Sequence, residues 1–169
     1  MNTDTPISTK CRVNSFITCD GVHIDPATGK HSLLGIFSSL RAKNFPVVHP
    51  KMTWFLSLSE LRKGTHHLTI SMADPTGELE PKIIIDRDFE APDPLHRVNL
   101  INDIHRLKIL ESKNYSIVIE VDDEIVFVDT LPVIDQYRKL EQDLEKLIEE
   151  YDEDEDEDDD YYNNDDSVF

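Results

Sequence analysis

Apolar and polar side chains alternate along much of the chain between residues 12 and 131. The apolar positions fall in three clear runs: Met52, Trp54, Leu56 and Leu58, then Leu68, Ile70 and Met72, then Tyr115, Ile117, Ile119 and Val121. A period of two residues is typical of a half-buried β-strand. We therefore predict a shared core that contains Trp54, Leu56, Leu68, Ile70, Ile117 and Ile119.

The predicted strands are short and are separated by turn residues. Pro26-Ala27-Thr28-Gly29-Lys30 has the composition of a hairpin loop, which would pair His31 with Asp25. About seven to nine such strands, without βαβ alternation, predict an all-β protein. The fold class is expected to be an antiparallel Ig-like β-sandwich over residues 12–131, and closure into a barrel stays open.

The period changes after Pro132. Tyr137, Leu140, Leu144 and Leu147 are spaced three and four residues apart, as in the a/d seam of a coiled coil. With Asp135 as its cap, an amphipathic helix is predicted over residues 135–150. Its seam has two interpretations: it packs on the β domain, or it joins copies of this chain in a homo-oligomer through Tyr137, Leu140, Leu144 and Leu147.

Negative charge is concentrated near the C-terminal end. The chain has 35 acidic and 17 basic residues, and 13 of the acidic ones lie between Glu149 and Phe169. Removing those 13 leaves 22 acidic against 17 basic residues, a net charge of −5. Such like-charged segments cannot bury enough apolar surface to fold, so residues 151–169 are predicted to be a disordered tail. Residues 1–11 are predicted to be a disordered arm.

The tail ends in Asp165, Asp166, Ser167, Val168 and Phe169. This ending resembles the C-terminal tips of single-stranded-DNA-binding proteins, which dock on basic pockets of partner proteins. It also fits the loose pattern that PDZ domains bind by strand addition. The tail is therefore a solubilising brush, a docking segment for a protein partner with a basic surface or pocket, or a mimic of nucleic-acid charge.

Several classes of site have no support in the sequence. The opening residues are polar, and no apolar run reaches the roughly 18 residues of a membrane span, which favours a cytoplasmic protein without membrane contact. Cys11 and Cys19 lie too far apart along one strand to form a disulfide. No phosphate-binding, nucleophile or zinc motif is present, so no catalytic, metal or cofactor site is predicted.

Two functions from different classes fit these features. The first is a non-enzymatic binding or scaffolding protein that acts through a β-sandwich and its acidic tail. The second is a single-stranded nucleic-acid-binding protein with an OB-like barrel, in which the tail competes for the groove. The mildly acidic body makes nucleic acid the less favoured partner. Phe55, which points away from the Trp54 face, would either pack in a second layer or serve the barrel as an exposed contact.

The first half of the chain resembles a bacterial domain-of-unknown-function family, β proteins of about 120 residues, the size of one domain. The motifs that carry the resemblance are Cys19-Asp20, Thr28-Gly29-Lys30, Leu33-Leu34-Gly35-Ile36-Phe37, Phe45-Pro46, His49 and Trp54-Phe55. The similarity covers about residues 12–74 and is weaker up to 131. Where the family has Pro-Gly-Arg-Tyr, this chain keeps only Tyr115. The resemblance implies a β fold and no assigned chemistry.

Overall fold

The fold is seen in a computed structural model, which describes residues 11–74, 76–77 and 80–156, with the backbone alone for 149–156. Nine strands and one helix are found in these ranges. They are β1 (Arg12–Ile24), β2 (His31–Ile36), β3 (Leu40–Ala42), β4 (Val47–Ser59), β5 (Gly64–Ala73), β6 (Lys82–Ala91), β7 (Val98–Ile109), β8 (Asn114–Val121), β9 (Glu124–Asp135) and α1 (Gln136–Asp156). The prediction of a mostly β chain that ends in one helix is confirmed.

The strands form two sheets. The four-stranded sheet has the order β2-β1-β4-β7, and each neighbouring pair is antiparallel. The five-stranded sheet has the order β3-β9-β8-β5-β6, with antiparallel pairing from β9 through β6. Both sheets contribute to one hydrophobic cluster. The six side chains predicted for the core, Trp54, Leu56, Leu68, Ile70, Ile117 and Ile119, are each at most 1% exposed, which confirms that prediction.

The four-stranded sheet is buried on both faces along the middle of β4. Opposite the Trp54 face, Thr53, Phe55 and Ser57 are also buried. Phe55 contacts the ring of His31 at the start of β2, at 5.7 Å between ring centroids. Phe55 is 8% exposed, so it packs in a second layer and is not an exposed contact.

The β1–β2 hairpin explains several of the motif residues. Ile24 pairs with His31, one residue away from the predicted register. The loop is longer than the five residues expected, since Asp25 belongs to it and accepts hydrogen bonds from Ala27 N (2.9 Å) and Thr28 Oγ1 (2.5 Å). Gly35 has a φ of 62°, and a Cβ there would overlap the Asp20 carboxylate.

Both cysteines are free and buried. Burial raises the pKa of the Cys11 thiol to about 11, so the thiol stays protonated at neutral pH. Cys11 is the last residue of the predicted arm, and it lies in the core cluster. Residues 1–10, the rest of that arm, lie outside the described residues.

The chain divides into two compact units, one ending at Ile134 and one beginning at Asp135. In the second unit Asp135 caps α1, because its Oδ1 accepts hydrogen bonds from Tyr137 N (2.9 Å) and Arg138 N (3.4 Å). The helix reaches Asp156, six residues past the predicted end, and residues 157–169 of the predicted tail lie outside the described residues. No membrane-spanning helix is found in the part of the chain that the structure describes.

Candidate binding surface

The five-stranded sheet has an open edge along β9. On one side, β8 pairs with β9 from Glu124 to Pro132. On the other side lies β3, which is only three residues long, against twelve in β9. Most of this edge therefore has no strand partner among the described residues. Ile125 and Val128 on this strand are both 56% exposed.

The four-stranded sheet has a matching open edge along the first half of β1. There β4 pairs with β1 from Arg12 to Cys19, while β2 pairs only from Cys19 onward. One further hydrogen bond joins this segment to the residue after β2: Phe37 N donates to the Thr18 carbonyl (3.1 Å). The segment from Val13 to Thr18 contains no charged residue.

A groove of about 280 Å³ lies between the two open edges. The β1 side supplies Phe16, Ile36 and Phe37, and the β9 side supplies Asp129 and Thr130. The apolar lining also includes Ile17 and the buried side chains of Ile117 and Leu131. The ring of Phe16 lies 5.8 Å from that of Trp54 and 6.2 Å from that of Phe127, so the groove lies directly over the shared core. Ile36, at its rim, is 63% exposed.

The opposite side of the two sheets ends in β6 and β7, and its chemistry is different. The exposed side chains of these strands include Lys82, Asp86, Arg87, Asp88, Glu90, Asp103, His105, Arg106 and Lys108. Charged side chains on an edge strand hinder pairing with another chain. On the β1 and β9 side, the segments from Val13 to Thr18 and from Ile125 to Thr130 together contain one charged residue, Asp129.

Two adjacent histidines lie at the start of β5. His66 Nδ1 is 2.6 Å from Asp122 Oδ2, and its Nε2 is 2.7 Å from the Arg62 carbonyl. Burial acts to lower the pKa of His66, but the hydrogen bonds to the Arg62 carbonyl and the Asp122 carboxylate outweigh it and raise the pKa. Because both ring nitrogens face acceptors, the doubly protonated ring fits this position. Asp122 also accepts a hydrogen bond from His67 N (2.9 Å).

His67 points to the other face, as the sequence predicts for neighbours in a strand. Its Nδ1 lies 2.7 Å from Asp88 and its Nε2 lies 3.1 Å from Asp86. The hydrogen bond to Asp88 raises the pKa of the His67 ring. Across the ranges described here, no group of His, Cys, Asp or Glu side chains is placed to hold a metal ion. The histidines therefore form ion pairs that join β5 to β6 and to the β8–β9 turn.

The corner between β7 and β8 is held by Tyr115. Its hydroxyl donates a hydrogen bond to the Glu111 carbonyl (3.1 Å). Beside it, Lys113 Nζ lies 2.8 Å from Asp74 Oδ2 and 2.6 Å from Glu111 Oε1. The hydrogen bond from Lys113 holds the pKa of Asp74 below its usual range. Of the Pro-Gly-Arg-Tyr motif expected from the resemblance, this corner keeps the tyrosine alone, and Ser112, Lys113 and Asn114 precede it.

Comparison with known proteins decides the family. The model of the Family of unknown function (DUF6941) matches residues 14–134, which include nearly all of the two sheets. The chain belongs to this family. The resemblance predicted from residues 12–74 is confirmed, and it extends through β9. No curated protein matches the chain.

Solved structures similar to this DUF6941 protein come from much larger proteins. One is the Pseudomonas fluorescens alkylpurine DNA glycosylase AlkC bound to DNA containing an abasic site analog, with 7% identity, a TM-score of 0.49, and coverage of 75% of this chain and 31% of that one. Another is the Trichoderma reesei β-D-glucoside glucohydrolase, with 12% identity, a TM-score of 0.45, and coverage of 75% and 19%.

A third is β-glucosidase 3B from Thermotoga neapolitana in complex with glucose, with 10% identity, a TM-score of 0.40, and coverage of 70% and 16%. The DUF6941 chain thus spans less than a third of each of these structures. At TM-scores below 0.5, these similarities carry no argument about function.

Of the two groups of predicted site residues, the structure describes one, on α1. Asp165, Asp166, Ser167, Val168 and Phe169, the predicted docking residues, lie outside the described residues, so that docking stays a prediction. The predicted self-association residues all lie on α1 and are half or more exposed: Tyr137 56%, Leu140 62%, Leu144 52% and Leu147 50%.

Asp20, His49 and Ser57 have the side-chain types of a hydrolytic triad, but the structure does not bring them together. Asp20 lies against Gly35, and the His49 ring contacts Phe37 at 6.1 Å. Ser57 is buried within β4. No hydrogen bond joins any two of these three side chains, all of which are described.

Sequence reasoning missed the groove between β1 and β9. Its residues come from four distant segments, and only the pairing of strands brings them together. One signal was available: the segment from Val13 to Thr18 contains no charged residue, whereas strand segments at a sheet edge commonly carry charge.

Proposed function

We propose that this DUF6941 protein is a non-enzymatic binding module, an Ig-like β-sandwich that accepts an extended segment of a partner protein in the groove between β1 and β9. The segment would add as a strand to the open edge of β9. Recognition by strand addition takes affinity from main-chain hydrogen bonds and specificity from pockets for alternate side chains. The groove has the form of such a pocket.

The Ig-like architecture is supported by the strand order. With β1, β4 and β7 taken as strands A, B and E, the other sheet runs β9-β8-β5-β6, which corresponds to G-F-C-C′. The pair β2 and β3 is then an insertion between A and B. The hydrogen bond from Tyr115 at the start of β8 to the Glu111 carbonyl corresponds to the tyrosine corner that many Ig-like domains have on strand F.

The open edge of β9 beside an apolar groove is the observation that carries this proposal. An exposed, uncharged strand edge is a template for pairing with another chain, and proteins usually protect it. Here β6 and β7 carry such protection and the open stretches of β1 and β9 have little. A site that binds an extended partner explains why one side differs from the other.

The alternative of a single-stranded nucleic-acid binder has less support. Its OB-like barrel would need a closed sheet, whereas the strands form a four-stranded and a five-stranded sheet. Stacking on bases also requires exposed aromatic rings. Among the described residues up to Ile134, every Phe, Tyr and Trp side chain is buried or half-buried, and Phe55 is buried.

The test uses a display library of random twelve-residue peptides selected against the full chain. Binding of enriched peptides is then measured to Ile36→Glu and to Ile83→Glu. Ile36 is 63% exposed in the groove, and Ile83 is 57% exposed on β6, so the second variant is a matched control. We expect Ile36→Glu to weaken binding about tenfold or more, since a charge would be buried under the peptide, and Ile83→Glu to leave it unchanged.

Two results would contradict the proposal. One is a set of enriched peptides that bind Ile36→Glu as well as the unchanged chain. The other is a groove already filled by a second copy, which light scattering would show as a dimer that Ile36→Glu dissociates.

A further inference from the structure

The helix α1 carries an exposed apolar stripe of its own. Tyr137, Leu140, Leu144 and Leu147 follow one another at three- and four-residue spacing, so they share one helix face. Each is at least 50% exposed, and the neighbouring Ile148 is 60% exposed. A helix of this kind takes most of its stability from packing such a face. The stripe therefore has the character of a docking surface.

The side chains that border the stripe are acidic or neutral. With Tyr137 and Leu144 at a and Leu140 and Leu147 at d, the bordering e and g positions are Gln136, Glu141, Asp143, Ile148 and Glu150. None of them is basic. The basic residues of the helix, Arg138, Lys139 and Lys146, fall at the b and c positions, away from the stripe.

A second copy of this chain is a poor occupant for that surface. In a coiled coil, the e and g positions of one helix face those of its partner, and opposite charges there set which partner is chosen. Two copies of α1 would bring Glu141, Asp143 and Glu150 together with acidic or neutral side chains in either orientation. No ion pair would form across the interface.

We propose that α1 binds an amphipathic helix of a partner protein whose Leu- or Ile-rich seam is bordered by Lys or Arg. Such a helix would cover the stripe with its apolar face and pair its cations with Glu141 and Asp143. In the sequence, the segment from Glu149 to Asp156 is also acidic and includes no Lys or Arg. The result is a heteromeric two-helix contact rather than self-association.

The experiment titrates three designed helical peptides into the full chain and follows their fluorescence anisotropy. The first has Leu at a and d and Lys at e and g. The second exchanges each Lys for Glu. The third keeps the Lys residues and replaces each Leu by Ala, so that it measures attraction to the acidic tail alone. We expect the first peptide to bind at least about fivefold more tightly than either of the others.

Two pairs of variants locate the binding. Leu144→Glu adds one negative charge on the stripe, and Gln142→Glu adds the same charge at the outward f position. The first should abolish the advantage of the Leu/Lys peptide over the Ala/Lys peptide, and the second should keep it. The exchange of Glu141 and Asp143 for Lys should shift the preference toward the Leu/Glu peptide, whereas Ile36→Glu in the groove should change nothing.

Salt separates this proposal from self-association. Binding of the Leu/Lys peptide should weaken as salt increases, because screening reduces the attraction between opposite charges. A dimer of acidic helices would strengthen with salt instead. The proposal is overturned by a chain that dimerises through Leu144 in sedimentation. It is equally overturned by equal binding of the Leu/Lys and Ala/Lys peptides.

Discussion

The two open sides of the β region rest on one core but have opposite surface chemistry. On one side, β6 and β7 end their sheets with a mixture of exposed acids and bases. On the other, the open stretches of β1 and β9 are nearly uncharged. Ile36 at the rim of the groove and Ile125 and Val128 on β9 are each more than half exposed. Charge on an edge hinders pairing with other chains, so the proposed strand addition rests on its scarcity on this side.

The largest effect on stability is expected at Leu56, in the core that both sides share. This side chain is fully buried, so Leu56→Ala should lower the free energy of unfolding by about 2–5 kcal/mol. Ile36→Ala and Ile83→Ala at the two rims should each change it by less than about 0.5 kcal/mol. Urea denaturation measures all three. If Ile36→Ala or Ile83→Ala lowered the free energy of unfolding as much as Leu56→Ala, the two sides would differ in packing and not only in surface chemistry.

A smaller effect is expected at the His66–Asp122 pair, which lies where β9 begins. The folded-state pKa of His66 is raised above the unfolded value of 6.5, so its charged ring stabilises the fold fully below that pH and loses this contribution as pH rises through the folded value. Unfolding free energy should therefore fall as pH rises from about 6.5 through the folded-state pKa, by roughly 1 kcal/mol or less.

Asp122→Asn should flatten this pH dependence, because it removes the carboxylate that His66 contacts. Part of the slope should remain, since the pKa of His67 is raised mainly by its hydrogen bond to Asp88. Asp123→Asn serves as the control: its carboxylate raises the pKa of His67 less than those of Asp88 and Asp86 do, so the slope should change less than in Asp122→Asn. An unchanged slope in Asp122→Asn would show that the pair does not hold the start of β9.

The smallest effect on stability is expected when charge is added to the open edge. Ile125→Lys combined with Val128→Lys should leave the unfolding free energy within about 0.5 kcal/mol, because both side chains are 56% exposed. The double variant should resist aggregation on heating better than the unchanged chain, since charged edges pair poorly. Turbidity measures this. Equal turbidity in both chains would argue that the β9 edge is already protected.

The sequence predicted the elements where one period held over many residues. The alternation around Trp54, Ile70 and Ile117 identified the core, and the spacing from Tyr137 to Leu147 identified the helix. The stretch from Leu95 to Leu110 fitted neither period. In the structure it contains β7, whose buried residues change phase at Arg106, where φ is 55°. A single residue with positive φ shifts the alternation of buried side chains by one position, and the local sequence pattern does not predict such a shift.

By itself, the sequence determined which residues prefer burial, where strands give way to a helix, where the negative charge accumulates and which family the chain resembles. These properties depend on neighbours along the chain. Only the tertiary structure decided that Phe55 is covered, that β3 is too short to cover β9, and that β1 and β9 border one groove. Those outcomes depend on which strands pair and how far each pair extends, since an open edge is defined by the strand that is absent beside it.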